Sequence, residues 1–292
     1  MANKGSGTLS AFFDNRLAPM TTDALGDRMK DYERRETGAK FLPMLPIYAR
    51  IDGRGFSRFT SGFERPFDPR FRALMQDTTA WLVQATGARI GYTQSDEISL
   101  CWLAETYEAE TFFGGKKQKM VSQLAALATQ RFNKLLWISD DPFLRQAADK
   151  DPTFDARVFQ LPNQAECANA FLWREWDATK NALSMACREL YSHKELEGRN
   201  GSEQNELLFR KGVNFNDYPA IYKRGVYLQR RKVRKPLDAE VLARIPEGSR
   251  PEDGCFERSV IQPLDMPPLA KVINRTEVIF AGANPQVQEE LE

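Results

Sequence analysis

Three carboxylates sit where strand-like runs end. "YARIDGRGF" (48–56) alternates cleanly, with Ile47, Ala49 and Ile51 on one face and Tyr48, Arg50 and Asp52 on the other, until Gly53 and Gly55 end it. "YTQSDEISL" (92–100) reads as a hairpin with its tip at Ser95-Asp96, followed at once by Glu97. If the two strands are neighbours, Asp52 and Asp96 meet. Close carboxylates repel unless one is protonated or cations bridge them. Magnesium suits such a pair, because it favours one or two carboxylates plus water and substrate phosphates. Two such ions, about 3.5–4 Å apart, can activate an attacking oxygen and stabilise a leaving one in line. Alone, Asp-Gly after a strand is a turn and Ser-Asp at a tip is an Asx turn. Both at equivalent ends of adjacent strands is the more specific signal.

Cations supply the complementary chemistry. Lys116, Lys117 and Lys119 follow Gly114-Gly115 at the predicted start of a helix. There they oppose the helix dipole by a few tenths of a kcal/mol each, unless an anion is bound at that end. Arg50 shares a strand face with Asp52. "YLQRRKVRKP" (227–236) packs Arg230, Arg231, Lys232, Arg234 and Lys235 together. It reads either as a charged edge strand or as a stripe that contacts phosphates. The chain has one histidine, His193, which excludes two-His metal motifs and disfavours His-based nucleophilic catalysis. Cys101, Cys167, Cys187 and Cys255 have no C-x-x-C spacing and are expected as small buried hydrophobes.

The elements that must position these groups follow from periodicity. "DALGDRMKDYERRE" (23–36) predicts a charged helix, and Pro43 and Pro46 break the chain after it. Asp68-Pro69 is an N-cap and N1 pair opening a helix to about Ala85, with Gly87 as its stop. After the hairpin (89–95 and 97–104), a second helix is expected from Lys117 to Leu136 and a fourth strand over 156–162. The order is βαββαβ, the ferredoxin-like split unit, in an α+β protein. A long helical stretch (164–191), a mixed tail and the Pro-rich "IQPLDMPPLAKV" follow, so 1–162 reads as the catalytic part and 163–292 as a C-terminal region packed on it. With 42% hydrophobic and 28% charged residues, the 292-residue chain has ordinary globular composition. No apolar run approaches a membrane span and "MANKGSGTLSAFF" lacks an apolar signal core, so a cytoplasmic protein is expected.

In this order and spacing, "RIDGRGFSRF", "PFDPRFRALM", "YTQSDEISL" and "FFGGKKQKMVSQLAA" resemble the tRNA-His guanylyltransferase family of 3′-to-5′ polymerases, over about residues 26–230. The resemblance implies a polymerase-type palm running addition in reverse. A tRNA 5′-monophosphate is activated with ATP or GTP, the 3′-hydroxyl of an incoming nucleotide attacks, and pyrophosphate is finally removed. It further implies that Asp52 and Asp96, assisted by the Gly53 carbonyl, hold two magnesium ions. Arg50, Gly53, Arg54, Gly55, Phe56, Ser57 and Ser95 would border the nucleotide, with Lys116 and Lys119 on its triphosphate. Glu97 matches an activity-linked position. Lys180 and Asn181, with Arg230, Arg231 and Lys232, are the candidate RNA contacts, and a tetramer is expected.

One departure bears on the substrate. Eukaryotic members carry a His-Ile-Asn-x-x-Tyr motif tied to the histidine tRNA, whereas "REWDATKNALSMACREL" (174–190) has Thr179 in place of that His. This resembles the bacterial and archaeal guanylyltransferase-like branch, which favours templated addition at truncated tRNA 5′ ends. Two other readings compete. A palm-type nucleotide cyclase needs no RNA end, and a non-catalytic tRNA-binding protein needs no carboxylate pair, which is costly to keep buried without a cation.

Overall fold

A computed structural model of the protein describes residues 22–246 and 255–288. The chain divides into two compact units, Met1–Ala39 and Lys40–Glu292. Within the first, helix α1 (Thr22–Thr37) carries the surface ion pair Arg35–Asp31 at 2.7 Å, one helical turn apart. Everything that follows lies in the second unit.

There the predicted order appears. Strand β1 (Ile47–Arg54) leads through the one-turn helix α2 (Phe56–Phe59) to α3 (Pro69–Thr86), and the hairpin of β2 (Ile90–Gln94) and β3 (Glu97–Trp102) follows. Next come α4 (Lys117–Trp137), the short α5 (Pro142–Ala148), β4 (Thr153–Gln160) and the long α6 (Gln164–Arg188). The starts are capped as the residue types dictate. Asp68 accepts from the backbone N–H of Arg70 and Phe71 at the head of α3, and Asn163 accepts from Glu166 N–H at the head of α6. Gly87, at φ 66°, ends α3 in the left-handed conformation.

All neighbouring strands are antiparallel, in the order β4-β1-β3-β2-β5-β6. The last two, β5 (Val226–Pro236) and β6 (Cys255–Pro263), extend the sheet beyond the four strands expected from the split unit. They come from the stretch read as a mixed tail. Between α6 and β5 lie the small helices α7 (His193–Leu196), α8 (Gly201–Arg210) and α9 (Ala220–Arg224). Ser192 and Asn200 each form a capping box, at the heads of α7 and α8.

Alternation along β1 sorts its side chains onto two differently covered faces. Ile47, Ala49 and Ile51 join Ile98, Leu100, Trp102 and Phe154 under α3 and α4, in the main core. Tyr48, Tyr92, Cys101 and Tyr227 face α6, where the Phe171 ring meets Tyr48 at 4.9 Å. Cys101, Cys167 and Cys187 are buried free thiols, as expected for small hydrophobes, and Cys255 is half-buried. Buried Glu175 on α6 accepts from Tyr227 Oη at 3.0 Å and from Leu269 N–H at 2.8 Å, tying the C-terminal segment to the sheet. Among the described residues, no helix is long and apolar enough to cross a membrane.

Strand β4 begins at Thr153, three residues before the predicted start at Ala156, and ends at Gln160 rather than 162. The chain turns at Asp149 and Lys150, and Asp151 takes φ 45° before Pro152. From Thr153 onward the backbone pairs with β1, Arg54 opposite Thr153. Those extra residues bring Asp155 into the sheet.

Candidate active site

The acidic end of the sheet is built by register. Asp52 stands opposite Glu97 on one side and opposite Asp155 on the other. Directly opposed residues of antiparallel strands project to one face, so three carboxylates share the end of the α6-covered face. Asp96 adds a fourth from the adjoining two-residue turn, in which Ser95 takes φ 46°. Gly53 N–H donates to the Asp96 carbonyl at 3.1 Å and locks that turn against β1. The Asp96 carboxyl is pushed up, first by burial and then by the nearby Asp52 charge. The two aspartates are electrostatic neighbours, as their strand ends predict.

Glu97 serves differently. It is 4% exposed and receives both arms of the Arg174 fork, Nε to Oε1 and Nη2 to Oε2, each at 2.7 Å. Arg174 Nη2 also donates to Asp177 Oδ2 at 2.7 Å. Burial pushes the Glu97 carboxyl up, and the Arg174 and Arg50 charges oppose that. Its oxygens are committed to α6, so Glu97 fixes the hairpin tip beside the aspartates. The Arg50 guanidinium lies over the Trp173 ring at 5.7 Å.

Beside Ser95 opens a largely apolar pocket of about 120 Å³, among Phe63, Phe67, Phe71, Met75, Tyr222 and Val226. Thr93, Gln94 and Asn181 contribute polar groups at its wall. An apolar hollow with a few polar groups beside charged residues is the usual form of a small-ligand site.

The other predicted residues are placed as follows. Gly53 is required by packing, since a Cβ there would fall 2.4 Å from the Phe56 ring. β1 continues through Arg54, so the bend begins only at Gly55, φ 68°. Arg54 and Ser57 are exposed, whereas Phe56 turns into the core against Phe59, Phe132 and Phe154. Lys116 and Lys119 lie at the opposite end of the sheet. The Phe112 ring stacks on Trp102, the register partner of Ile47, and Lys116 bridges to Lys40. From Ile47 to Asp52 is about 17 Å of strand, so within one chain these lysines and the aspartates do not meet.

The basic run is split by alternation. β5 is an interior strand rather than an edge. Arg231 is folded inward, donating to the carbonyls of Gly282 and Ala283, and burial holds its guanidinium below the usual range. Arg230 bonds Gln84 and Ser259, and exposed Lys232 pairs with Glu257 at 3.3 Å. Lys180 and Asn181 are exposed on α6, and Thr179 Oγ1 donates to the Glu175 carbonyl one turn back.

Three site residues escape a sequence reading: Asp155, Arg157 and Arg174. Asp155 lies just before the predicted strand 156–162 and Arg157 inside it, and only the pairing with β1 links them to Asp52 and Arg50. Arg174 lies 77 positions from its partner Glu97, and only a mid-helix cation on a buried stripe hints at it.

The family model described as tRNAHis guanylyltransferase (Thg1) matches residues 26–162. The tRNA(His) guanylyltransferase of Schizosaccharomyces pombe is 31% identical over 73% of this chain and 81% of its own. Among solved structures, a bacterial tRNA(His) guanylyltransferase (Thg1)-like protein in complex with ATP is 36% identical. It aligns with a TM-score of 0.64 over 70% of this chain and 88% of that one. One in complex with GTP is 29% identical, with a TM-score of 0.65 over 85% and 95%. The carboxylates gathered around Asp52 thus belong to a recognisable scaffold, and this chain is a nucleotidyltransferase of the tRNA(His) guanylyltransferase family.

Proposed function

We propose that this protein adds nucleotides to the 5′ end of tRNA in the 3′-to-5′ direction, on a palm of the ferredoxin-like type. The observation that carries the reading is Asp52 beside Asp96, with the Asp96 carboxyl pushed up by burial and by its neighbour. The strand order β4-β1-β3-β2, with α3 and α4 on one face, supports the palm.

Magnesium fits the donor set. Asp52 and Asp96 offer hard anionic oxygens, and a cation held by both would offset the burial and the Asp52 charge that push the Asp96 carboxyl up. Among the described residues no three His, Cys, Asp or Glu side chains form a metal cage. Magnesium does not require one, since it is held by one or two carboxylates together with water and phosphate oxygens. Asp52 and Asp96, with the Gly53 carbonyl, are the residues that would hold it. Bound there, it supplies polarisation of phosphoryl oxygens.

The chain's own residues do the positioning. Glu97, clamped by Arg174, holds the hairpin tip against α6, and Arg50 offers a cation to phosphate. The apolar pocket beside Ser95 suits a purine ring, consistent with ATP and GTP in the related bacterial structures. ATP or GTP transfers its nucleotidyl group to the tRNA 5′-phosphate and releases pyrophosphate. The 3′-hydroxyl of the incoming nucleotide attacks that 5′-phosphate and expels AMP or GMP. Pyrophosphate is then removed from the 5′-triphosphate of the added nucleotide. Thr179 in place of the family's His supports templated repair of truncated 5′ ends over strict G addition to the histidine tRNA. A tetramer and a cytoplasmic location complete the reading, on the family resemblance and the N-terminal composition.

The test is incubation with full-length and 5′-truncated tRNAs, magnesium and each NTP in turn. Several truncated tRNAs should gain the nucleotide that pairs with the opposite strand. A single untemplated G on the histidine tRNA alone would overturn the repair assignment. A cyclic nucleotide formed without RNA would show a cyclase, and tight tRNA binding without any product a non-catalytic binder.

A further inference from the structure

Helix α6 carries two open tryptophans one helical turn apart, Trp173 at 49% and Trp176 at 60% exposure. Residues three and four apart are neighbours on a helix surface, so exposed Lys180 continues the same stripe. The buried side of the helix fixes where that stripe runs. Arg174 clamps Glu97 at the hairpin tip, and Ala178 and Asn181 line the pocket beside Ser95. Trp176 lies between them in the helix, so the stripe passes along the acidic end of the sheet. Cations already sit on Trp173, with the Arg174 guanidinium 4.4 Å and the Arg50 guanidinium 5.7 Å from its ring centre. The Trp176 ring meets no cation and no second ring among the described residues. Tryptophan contributes to a fold mainly through burial, so two left open on one stripe beside a charged site point to a ligand.

We propose that Trp176, with Trp173 one turn before it, stacks a nucleobase beside the carboxylates. The inference rests on the nucleotidyltransferase reading and adds to it a base-binding surface outside the apolar pocket. Every base has a π-face, so stacking on an aromatic side chain tolerates any sequence. A platform of this kind fixes where a base lies without choosing which base it is, and the choice is left to pairing with the opposite strand. Lys180 on the same stripe and Arg50 beside Trp173 add positive charge. That charge suits a ligand carrying phosphates better than the apolar face of a second protein. Two sources carry this chemistry, the terminal base of the RNA acceptor end and the base of the nucleoside triphosphate.

Equilibrium binding to the full chain separates them. The probes are a tRNA acceptor duplex with one unpaired terminal base, the same duplex abasic at that position, and ATP, all with magnesium. Wild type, Trp176→Ala and Trp176→Phe are compared. Losing one stacked base should cost about 5- to 150-fold. Loss of the preference for the base-bearing over the abasic duplex, with ATP affinity kept, places the RNA base here. Loss of ATP affinity with that preference kept places the base of the nucleotide. In either case Phe should restore part, and the salt slope of RNA binding should stay as in wild type, because no phosphate contact is lost. If the Ala variant does not fold, tryptophan fluorescence decides: the ligand should quench wild type more than Trp176→Phe, and equal quenching overturns the platform. A folded Trp176→Ala protein unchanged in both affinities overturns the platform while leaving the function standing, provided wild type extends tRNA. A variant changed only in its oligomeric state by sedimentation does the same, and assigns the stripe to a contact between copies. A wild-type protein that neither binds these probes nor extends tRNA overturns both.

Discussion

Arg174 on α6 grips Glu97 on β3 through two parallel hydrogen bonds of 2.7 Å, and both side chains are more than nine-tenths buried. This pair joins the hairpin that carries Asp96 to the helix covering that face. Removing one member strands the other charge, at a cost of about 3–5 kcal/mol. Arg174→Ala should therefore lower the melting temperature markedly, and Arg174→Lys, lacking the fork, should recover only part. Thermal unfolding of the two variants checks this, and an unshifted transition in Arg174→Ala would sink the clamp.

Asp52→Ala and Asp96→Ala should act in opposite senses on activity and stability. Each removes a ligand on which charge stabilisation depends, so single-turnover addition should fall by at least ~10³-fold. Asp96→Ala should leave stability equal or higher, because it relieves a buried carboxyl already pushed up by desolvation and by Asp52. Near wild-type rates in either variant would dismiss the metal assignment.

Asp68 predicts an acid limb of stability. Burial pushes its carboxyl up, but the Arg70 guanidinium and the amides of Glu64, Arg70 and Phe71 outweigh that and hold it low. A carboxyl lowered on folding stabilises fully above its unfolded value, near pH 4, and loses that contribution as pH falls through the folded value. Denaturant unfolding between pH 7 and pH 2 should show this loss in wild type and a flatter profile in Asp68→Asn. At neutral pH, Asp68→Ala should cost about 1–2 kcal/mol through the lost helix cap. Equal acid sensitivity in both proteins would remove Asp68 from the account.

Alternation along β5 gives the basic run two separable roles. Arg231→Ala should lower stability, since Arg231 satisfies the Gly282 and Ala283 carbonyls. Lys232→Ala should leave stability nearly unchanged, because its pair with Glu257 is exposed. If Lys232 also meets tRNA phosphate, the salt slope of tRNA binding should flatten by about one in that variant, equally for every tRNA. An identical slope in wild type and Lys232→Ala would return Lys232 to a solvated surface.

Lys116 holds the N-cap position of helix α4 and supplies no side-chain cap. Lys116→Ser should raise stability by up to about 1 kcal/mol, through the new cap and the removal of a cation from the positive end of the dipole. Nucleotide kinetics of the same variant test the triphosphate role. A changed KM for NTP in a stabilised protein would show that an anion reaches this end of the sheet.

The local chemistry of this chain was legible because periodicity and caps are short-range. Asp68-Pro69 announced α3, Gly87 its end, and alternation through Asp52 and across Ser95-Asp96 announced the strands that bring the two aspartates together. The motifs around them identified the family. Long-range pairing was not legible, because it is set by which faces bury one another and not by neighbours in sequence. That Glu97 belongs to Arg174 followed only from α6 packing on the sheet. That Asp155 and Arg157 flank Asp52 and Arg50 followed only from the β1–β4 register. Helical pattern placed Lys116 and Lys119 at the start of α4, but the run of α4 across the sheet carried them away from Asp52. The basic run read as a charged edge strand or as a phosphate stripe, yet a period of two sends successive side chains to opposite faces, and tertiary contacts then turned Arg231 inward.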